Sequence, residues 1–215
     1  MANYSKNTLE KNILTLEERL VEIVNTSYCI LCSKIVSKCI NIPNEASFQL
    51  QFGVILKQVG QLYEFEEKDK FSIQLEDVQT INATQKSKNG KARCDIMLSL
   101  KNGNNYEAAV AIELKHFKKF DGETITDNRF KILCDIENLE SYKKINHKMI
   151  CYEILYTNNP NYANPDSSSY IKIGNGVTLN AGEHISNERI VKLEKAYTLK
   201  WDIYKNNNCF LKIEV

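Results

Sequence analysis

Two carboxylates and a lysine, Asp95, Glu113 and Lys115, are the side chains whose types and spacing point to shared chemistry. Each belongs to a short apolar segment, where burying an ionised group costs several kcal/mol unless something compensates its charge. A divalent cation is the natural compensation for two close carboxylates, and hard oxygen ligands favour Mg²⁺, with Mn²⁺ as the alternative. The trio therefore predicts a cation site, provided that the fold makes the three residues neighbours.

A β-hairpin would make them neighbours. Residues 92–100 and 107–115 read as apolar strands, and the Asn-Gly pair between them is typical of a segment that closes a hairpin. With the turn centred near Gly103 and Asn104, Asp95 faces position 112 or 113 of the second strand. Because side chains alternate along a strand, Glu113 and Lys115 project from the same face of the sheet.

Apolar periodicity along the rest of the chain predicts one α/β domain, in the order helix, three strands, helix, strand. Asn44 is the expected N-cap of the second helix. The expected helices are Thr8–Cys39, Glu45–Tyr63 and Asp127–Asn146; the expected strands outside the hairpin are Phe71–Thr80, Met149–Tyr156 and one or two within Tyr197–Val215. We expect a single domain over 1–215, with an N-terminal helical region (1–42), a catalytic core (43–157) and a C-terminal loop with strands (158–215).

Composition excludes some classes of function. The chain has 28 Lys and Arg against 27 Asp and Glu, so contacts to nucleic acid must come from local patches. Seven scattered cysteines and the absence of a long apolar run predict a soluble cytoplasmic protein with reduced thiols and no membrane partner. No glycine-rich phosphate-binding motif is present, so no nucleotide cofactor is expected.

Asp95 and the sequence Glu113-Leu114-Lys115 resemble the motif of the PD-(D/E)XK nuclease superfamily, the fold of type II restriction enzymes and many repair nucleases. The resemblance implies a restriction-endonuclease-like core, a central mixed β-sheet flanked by helices, here with an N-terminal helical extension. It also implies that Asp95, Glu113 and the carbonyl of Leu114 hold the metal. Lys115 would serve the attacking water, either as a base or by stabilising developing charge.

The resemblance covers roughly Glu45–Tyr156, and Cys94 stands where the superfamily has a proline that carries no chemistry. Many members place a glutamate on the first core helix, which makes Glu45 a fourth candidate catalytic residue. Its alternative role is that of an ordinary first-turn acid that favours the helix dipole. Gln49 is a weaker candidate, and Asp135 is left out because its helix is rich in acids that typically face solvent.

Cations flank the trio on both sides and predict phosphate contacts. The alternative is that they only keep a surface loop solvated. These residues are Lys86, Lys88, Lys91 and Arg93 before Asp95, and Lys118 and Lys119 after Lys115.

The resulting hypothesis is a Mg²⁺-dependent endodeoxyribonuclease, a restriction or phage-defence enzyme whose partner is DNA. Cutting both strands symmetrically would favour a homodimer built on the first helix. Three alternatives stay open: a repair nuclease or ribonuclease toxin of the same fold, a non-catalytic nuclease-like module, or a plain surface ion pair between Glu113 and Lys115. Residues 158–195 are expected to carry much of the specificity.

Overall fold

The computed structural model describes residues 14–103, 106–118, 125–165, 170–186 and 188–215. The helices are α1 (Leu16–Val36), α2 (Glu45–Gln61) and α3 (Ile125–Ile145). The strands are β1 (Asp69–Thr80), β2 (Lys91–Asn102), β3 (Tyr106–Phe117), β4 (Ile150–Thr157), β5 (Thr178–Leu179), β6 (Gly182–Ser186), β7 (Arg189–Leu193), β8 (Tyr197–Thr198), β9 (Trp201–Ile203) and β10 (Cys209–Glu214).

Local capping chemistry sets the helix boundaries. Thr15 and Glu18 form a capping box, so α1 starts at Leu16, while the expected start at Thr8 lies outside the described residues. Lys38 adopts a left-handed φ of 62°, and α1 ends at Val36, three residues before the expected end at Cys39. Asn44 caps α2 as predicted, accepting a hydrogen bond of 2.8 Å from the backbone of Ser47.

The main sheet has the order β1-β2-β3-β4-β10-β9. β3 and β4 run parallel and the other neighbours are antiparallel, so the described residues form an α+β fold with a central mixed sheet, as predicted. α1 and α2 cover the face that carries Ile96, Ile112 and Ile154. α3 covers the opposite face, which carries Ala111 and Leu155.

The hairpin has the predicted register. Ile96 pairs with Ile112, which puts Asp95 in line with Glu113. Ile112 and Leu114 pack towards α1 and α2, and Glu113 and Lys115 project from the α3 face.

The α3 helix is more deeply buried than its acid-rich sequence suggests. The expected apolar stripe is inside, including Phe130, Leu133 and Leu139, but Asp135 and Glu140 are also buried. Asp135 is buried because it faces the sheet and pairs with Lys115 of β3, whereas Glu140 is buried against the segment after β7, where it accepts hydrogen bonds from the backbone of Glu194 and the hydroxyl of Tyr197. The expectation that Asp135 faces solvent is therefore wrong.

The C-terminal part is richer in strands than expected. β10 and β9 extend the main sheet, while β5 with β8 and β6 with β7 form two small two-stranded sheets. All seven cysteines are free, as predicted, although Cys29 and Cys39 are exposed. Among the described residues no helix is both long and apolar enough to cross a bilayer.

Candidate active site

Asp95 lies where β2 stops pairing with β3. The regular ladder ends at Ile96 and Ile112, and the backbone N–H of Leu114 donates to Asp95 Oδ2 at 2.7 Å. The Asp95 carboxylate thus takes the place of a strand partner. Its backbone carbonyl accepts a hydrogen bond of 2.7 Å from Gln49 on α2, which fixes the residue from a second side.

Glu113 is completely buried in the middle of the sheet. Its Oε2 accepts a hydrogen bond of 3.0 Å from Lys86 Nζ, whereas Oε1 has no hydrogen-bond partner among the described residues. Glu153 lies beside it in register on β4, also completely buried, and neither of its carboxylate oxygens has such a partner. Two glutamates with unsatisfied oxygens therefore lie side by side under α3.

Lys115 is fixed by three neighbours. Its Nζ donates to the carbonyl of Leu114 at 2.8 Å, and lies 2.8 Å from Asp135 Oδ2 and 3.8 Å from Glu45 Oε1. The other oxygen of Glu45 accepts a hydrogen bond of 3.3 Å from the backbone of His116. The side chain of Glu45 therefore reaches the site from the first turn of α2.

Asp135 and Glu153 are the members of the site that the sequence did not reveal to us. Asp135 forms ion pairs with both Lys115 and Lys86. A signal was present, since Asp135 lies three residues after Ile132 and four before Leu139, on the inner face of α3. Glu153 is likewise marked by being the one acid in the apolar run of β4.

We use the name carboxylate cluster for four carboxylates and two ammonium groups, those of Asp95, Glu113, Asp135, Glu153, Lys86 and Lys115. When all six groups are ionised the net charge is minus two, which one divalent cation would balance; without a cation, burial and the charge of Asp135 raise the pKa of Glu153 as well as that of Glu113, which favours their protonated forms. Glu45 lies at the rim, with its side chain 47% exposed to solvent.

Burial and neighbouring charges shift the pKa values within the cluster. Burial raises the pKa of Asp95 to about 6, and burial together with the charge of Asp135 raises that of Glu113 to about 8. Burial alone would lower the pKa of Lys86 and Lys115, but Asp135 and the other carboxylates outweigh it and raise both. The same ammonium groups outweigh burial at Asp135 and lower its pKa.

The donors fit a hard divalent cation in chemistry and charge. The described residues contain no ready group of three or more His, Cys, Asp or Glu side chains that could hold a metal ion. The expected set, however, uses two carboxylates and the carbonyl of Leu114, and Glu113 Oε1 is a buried acceptor without a donor. In this structure ammonium groups occupy two of the expected oxygens, Lys115 on Leu114 and Lys86 on Glu113.

The cations that flank the trio in sequence differ in whether they face solvent. Lys88, Lys91, Arg93 and Lys118 are exposed, and Arg93 lies 3.7 Å from Glu76. Lys119 lies outside the described residues. Lys86 differs from the expectation, because its ammonium points into the carboxylate cluster rather than towards solvent.

An open cavity of about 670 Å³ adjoins the cluster. Lys86, Lys115 and Asp135 form its wall on the cluster side, and Lys131 and Phe130 line it farther along α3. Lys86, Lys115 and Asp135 are therefore the members of the cluster that border the open cavity, while Glu113 and Glu153 lie behind them, completely buried.

No protein-family model, curated protein or solved structure matches this chain. What the site can do chemically therefore follows from its own residues and their geometry.

Proposed function

We propose that this chain is a Mg²⁺-dependent endodeoxyribonuclease with a restriction-endonuclease-like core, of the restriction or phage-defence kind. The observation that carries the proposal is the buried Glu113, aligned with Asp95, next to Lys115 and with one oxygen unsatisfied.

The energetic cost of this arrangement supports a functional role. A buried carboxylate without a full set of partners destabilises a fold, and hydrophobic residues of similar size would remove that cost. Such costs are typical of active sites, where pKa values are shifted away from their ordinary range. They argue against a plain surface pair between Glu113 and Lys115, because Glu113 is fully buried.

Asp95, Glu113 and the carbonyl of Leu114 are the groups that would hold the cation. When bound, a divalent ion supplies a Lewis acid for a phosphodiester. Lys115 donates to the Leu114 carbonyl and forms an ion pair with Asp135, so it acts as an ammonium that stabilises developing negative charge rather than as the base. Glu45 keeps a solvent-facing carboxylate 3.8 Å from this ammonium, where it can orient a water molecule.

The substrate is inferred from the surroundings of the cluster. Exposed Lys88 lies in the loop before β2, exposed Lys91 and Arg93 lie at the start of β2 close to Asp95 in sequence, and exposed Lys118 comes directly after β3. Cations at the ends of two neighbouring strands suit phosphates of a nucleic acid backbone. A near-neutral net charge of +1 favours directed contacts over indiscriminate binding.

A panel of substrates tests the proposal. We expect purified protein to cut plasmid and linear duplex DNA with Mg²⁺ or Mn²⁺, and to leave them intact with EDTA. Cutting of only RNA or only branched or single-stranded DNA would move the function to a toxin-like or repair nuclease. No cutting of any substrate with either ion would contradict a catalytic role.

A further inference from the structure

The loop that carries Lys86 is fixed on α3 by its backbone. The N–H of Gln85 donates to Glu137 Oε2 at 2.8 Å, and the N–H of Asn82 donates to the hydroxyl of Ser141 at 3.1 Å. The backbone is therefore held in place, and the Lys86 ammonium can move away from the sheet by a change of its side-chain rotamer alone.

The two lysines of the carboxylate cluster are held differently. The Lys115 side chain is 10% exposed and rises from the sheet itself, whereas the Lys86 side chain is 37% exposed and reaches in from the loop. Lys86 donates to Glu113 Oε2 and Asp135 Oδ1 and lines the open cavity. Both lysines border the cavity, and Lys86 is the more exposed of the two.

Lys86 neutralises the cluster only in part. It satisfies one oxygen of Glu113, while Glu113 Oε1 and both oxygens of Glu153 lack hydrogen-bond partners among the described residues. A divalent ion on Glu113 would lie a few ångströms from this ammonium, and two like charges so close repel strongly in a partly buried site.

We propose that the Lys86 ammonium is a built-in competitor for the divalent cation, which must leave Glu113 before the cation binds. The inference rests on the proposed function, since it concerns the same cation site. Lys86 then sets the affinity for the ion, partly neutralises the cluster in the cation-free protein, and on leaving becomes a phosphate-facing group at the mouth of the cavity.

Manganese binding without DNA tests this inference directly. Electron paramagnetic resonance of free Mn²⁺ measures the dissociation constant for the wild type, Lys86→Met and the matched loop variant Lys88→Met. We expect Lys86→Met to bind Mn²⁺ about tenfold more tightly or better, since losing one repelling charge at this distance exceeds a tenfold effect. Lys88→Met should bind as the wild type does.

Further variants locate the ion and protect the test against misfolding. Lys86→Gln keeps a hydrogen-bond donor and should also bind more tightly, whereas Lys86→Arg keeps the charge and should bind no better than the wild type. Adding Glu113→Gln to Lys86→Met should abolish the gain. Equal or weaker binding by both Lys86→Met and Lys86→Gln would overturn the inference.

Failure of the inference can be distinguished from failure of the proposed function. If the wild type cuts DNA with Mg²⁺ but loss of Lys86 leaves Mn²⁺ affinity unchanged, the nuclease stands and the competitor does not. If loss of Lys86 tightens Mn²⁺ binding but no variant cuts any nucleic acid, the cation site stands without the nuclease. Absence of Mn²⁺ binding in every variant would overturn the inference.

Discussion

Asp135 connects the two lysines of the carboxylate cluster. Its two oxygens form ion pairs with Lys115 and Lys86, and it reaches the sheet from α3. The Lys115 ammonium is held between the Leu114 carbonyl and Asp135 Oδ2. Asp135 therefore helps to fix the direction in which this ammonium points. We regard Asp135 as a positioning residue that acts through Lys115.

Replacing Asp135 with Asn should lower kcat for DNA cleavage by roughly 100-fold, the size expected when a charge-stabilising group is misplaced. KM should change little, because no DNA-contacting cation is removed. Steady-state kinetics and thermal unfolding of the same preparation make the check. A wild-type kcat, or a loss explained entirely by unfolded protein, would contradict the positioning role.

The elements that bring the cluster together differ in how far the sequence predicts them. The hairpin is local, so the turn and strand lengths suffice to align Asp95 with Glu113. Glu153 joins the cluster only through the parallel pairing of β4 with β3, across a helix and a segment that local patterns do not fix. Asp135 lies on the inner face of α3 with Ile132 and Leu139, which the helix spacing does indicate, but its ion pairs with Lys115 and Lys86 depend on how α3 packs on the sheet, which the spacing does not give.

A second buried ion pair ties α1 to the start of β1. Asp69 Oδ2 accepts from Arg19 at 2.6 Å and from the backbone of Phe65 and Glu66, and Oδ1 accepts from Asn102 on β2. Burial would raise the pKa of Asp69, but these donors outweigh it and hold the pKa below its ordinary value of 3.8. The pair therefore stabilises the fold in the ionised state.

Asp69→Asn should destabilise the protein by about 3 kcal/mol at pH 7, because it leaves Arg19 buried without a counter-ion. Because the pKa of Asp69 is lower in the folded protein than its ordinary value, the stabilisation is present at pH values above about 3.8. It is lost as the pH falls through the pKa that Asp69 has in the folded protein. Urea unfolding at pH 7 and pH 3 should therefore show a smaller difference from the wild type at pH 3. The exposed Glu67→Gln in the same turn is the control, and an equal effect at both pH values would contradict the account.

Charge over the whole molecule is nearly balanced, so binding of nucleic acid must be local. Lys91 is the first residue of β2 and lies at the end of that strand nearer the cluster. Lys70 of β1 and Lys101 of β2 lie opposite each other in the strand register, at the far end of the two strands. The homodimer proposed on α1 stays a prediction. The apolar side chains of α1, such as Leu20 and Ile23, are buried within its own chain, so a dimer on α1 would use its other side chains.

The double variant Lys88→Ala with Lys91→Ala should weaken duplex DNA binding. The slope of the logarithm of the binding constant against the logarithm of the salt concentration should become less negative by about two, since each phosphate contact contributes about 0.9 to it. Fluorescence anisotropy with EDTA at several salt concentrations measures this without cleavage. Lys70→Ala with Lys101→Ala removes the same charge from the far end. Equal slopes for the two double variants would count against the proposed DNA path.

Plasmid cleavage by Glu113→Gln tests the central claim most directly, because the substitution removes one charge and almost no volume. Glu107→Gln is the matched control, a glutamate on the same strand that is exposed and paired with Lys101. We predict that Glu113→Gln loses roughly 100-fold or more of the Mg²⁺-dependent cleavage rate while Glu107→Gln cuts like the wild type. Wild-type cleavage by Glu113→Gln, in protein shown to be folded, would contradict the assignment of the carboxylate cluster as the active site.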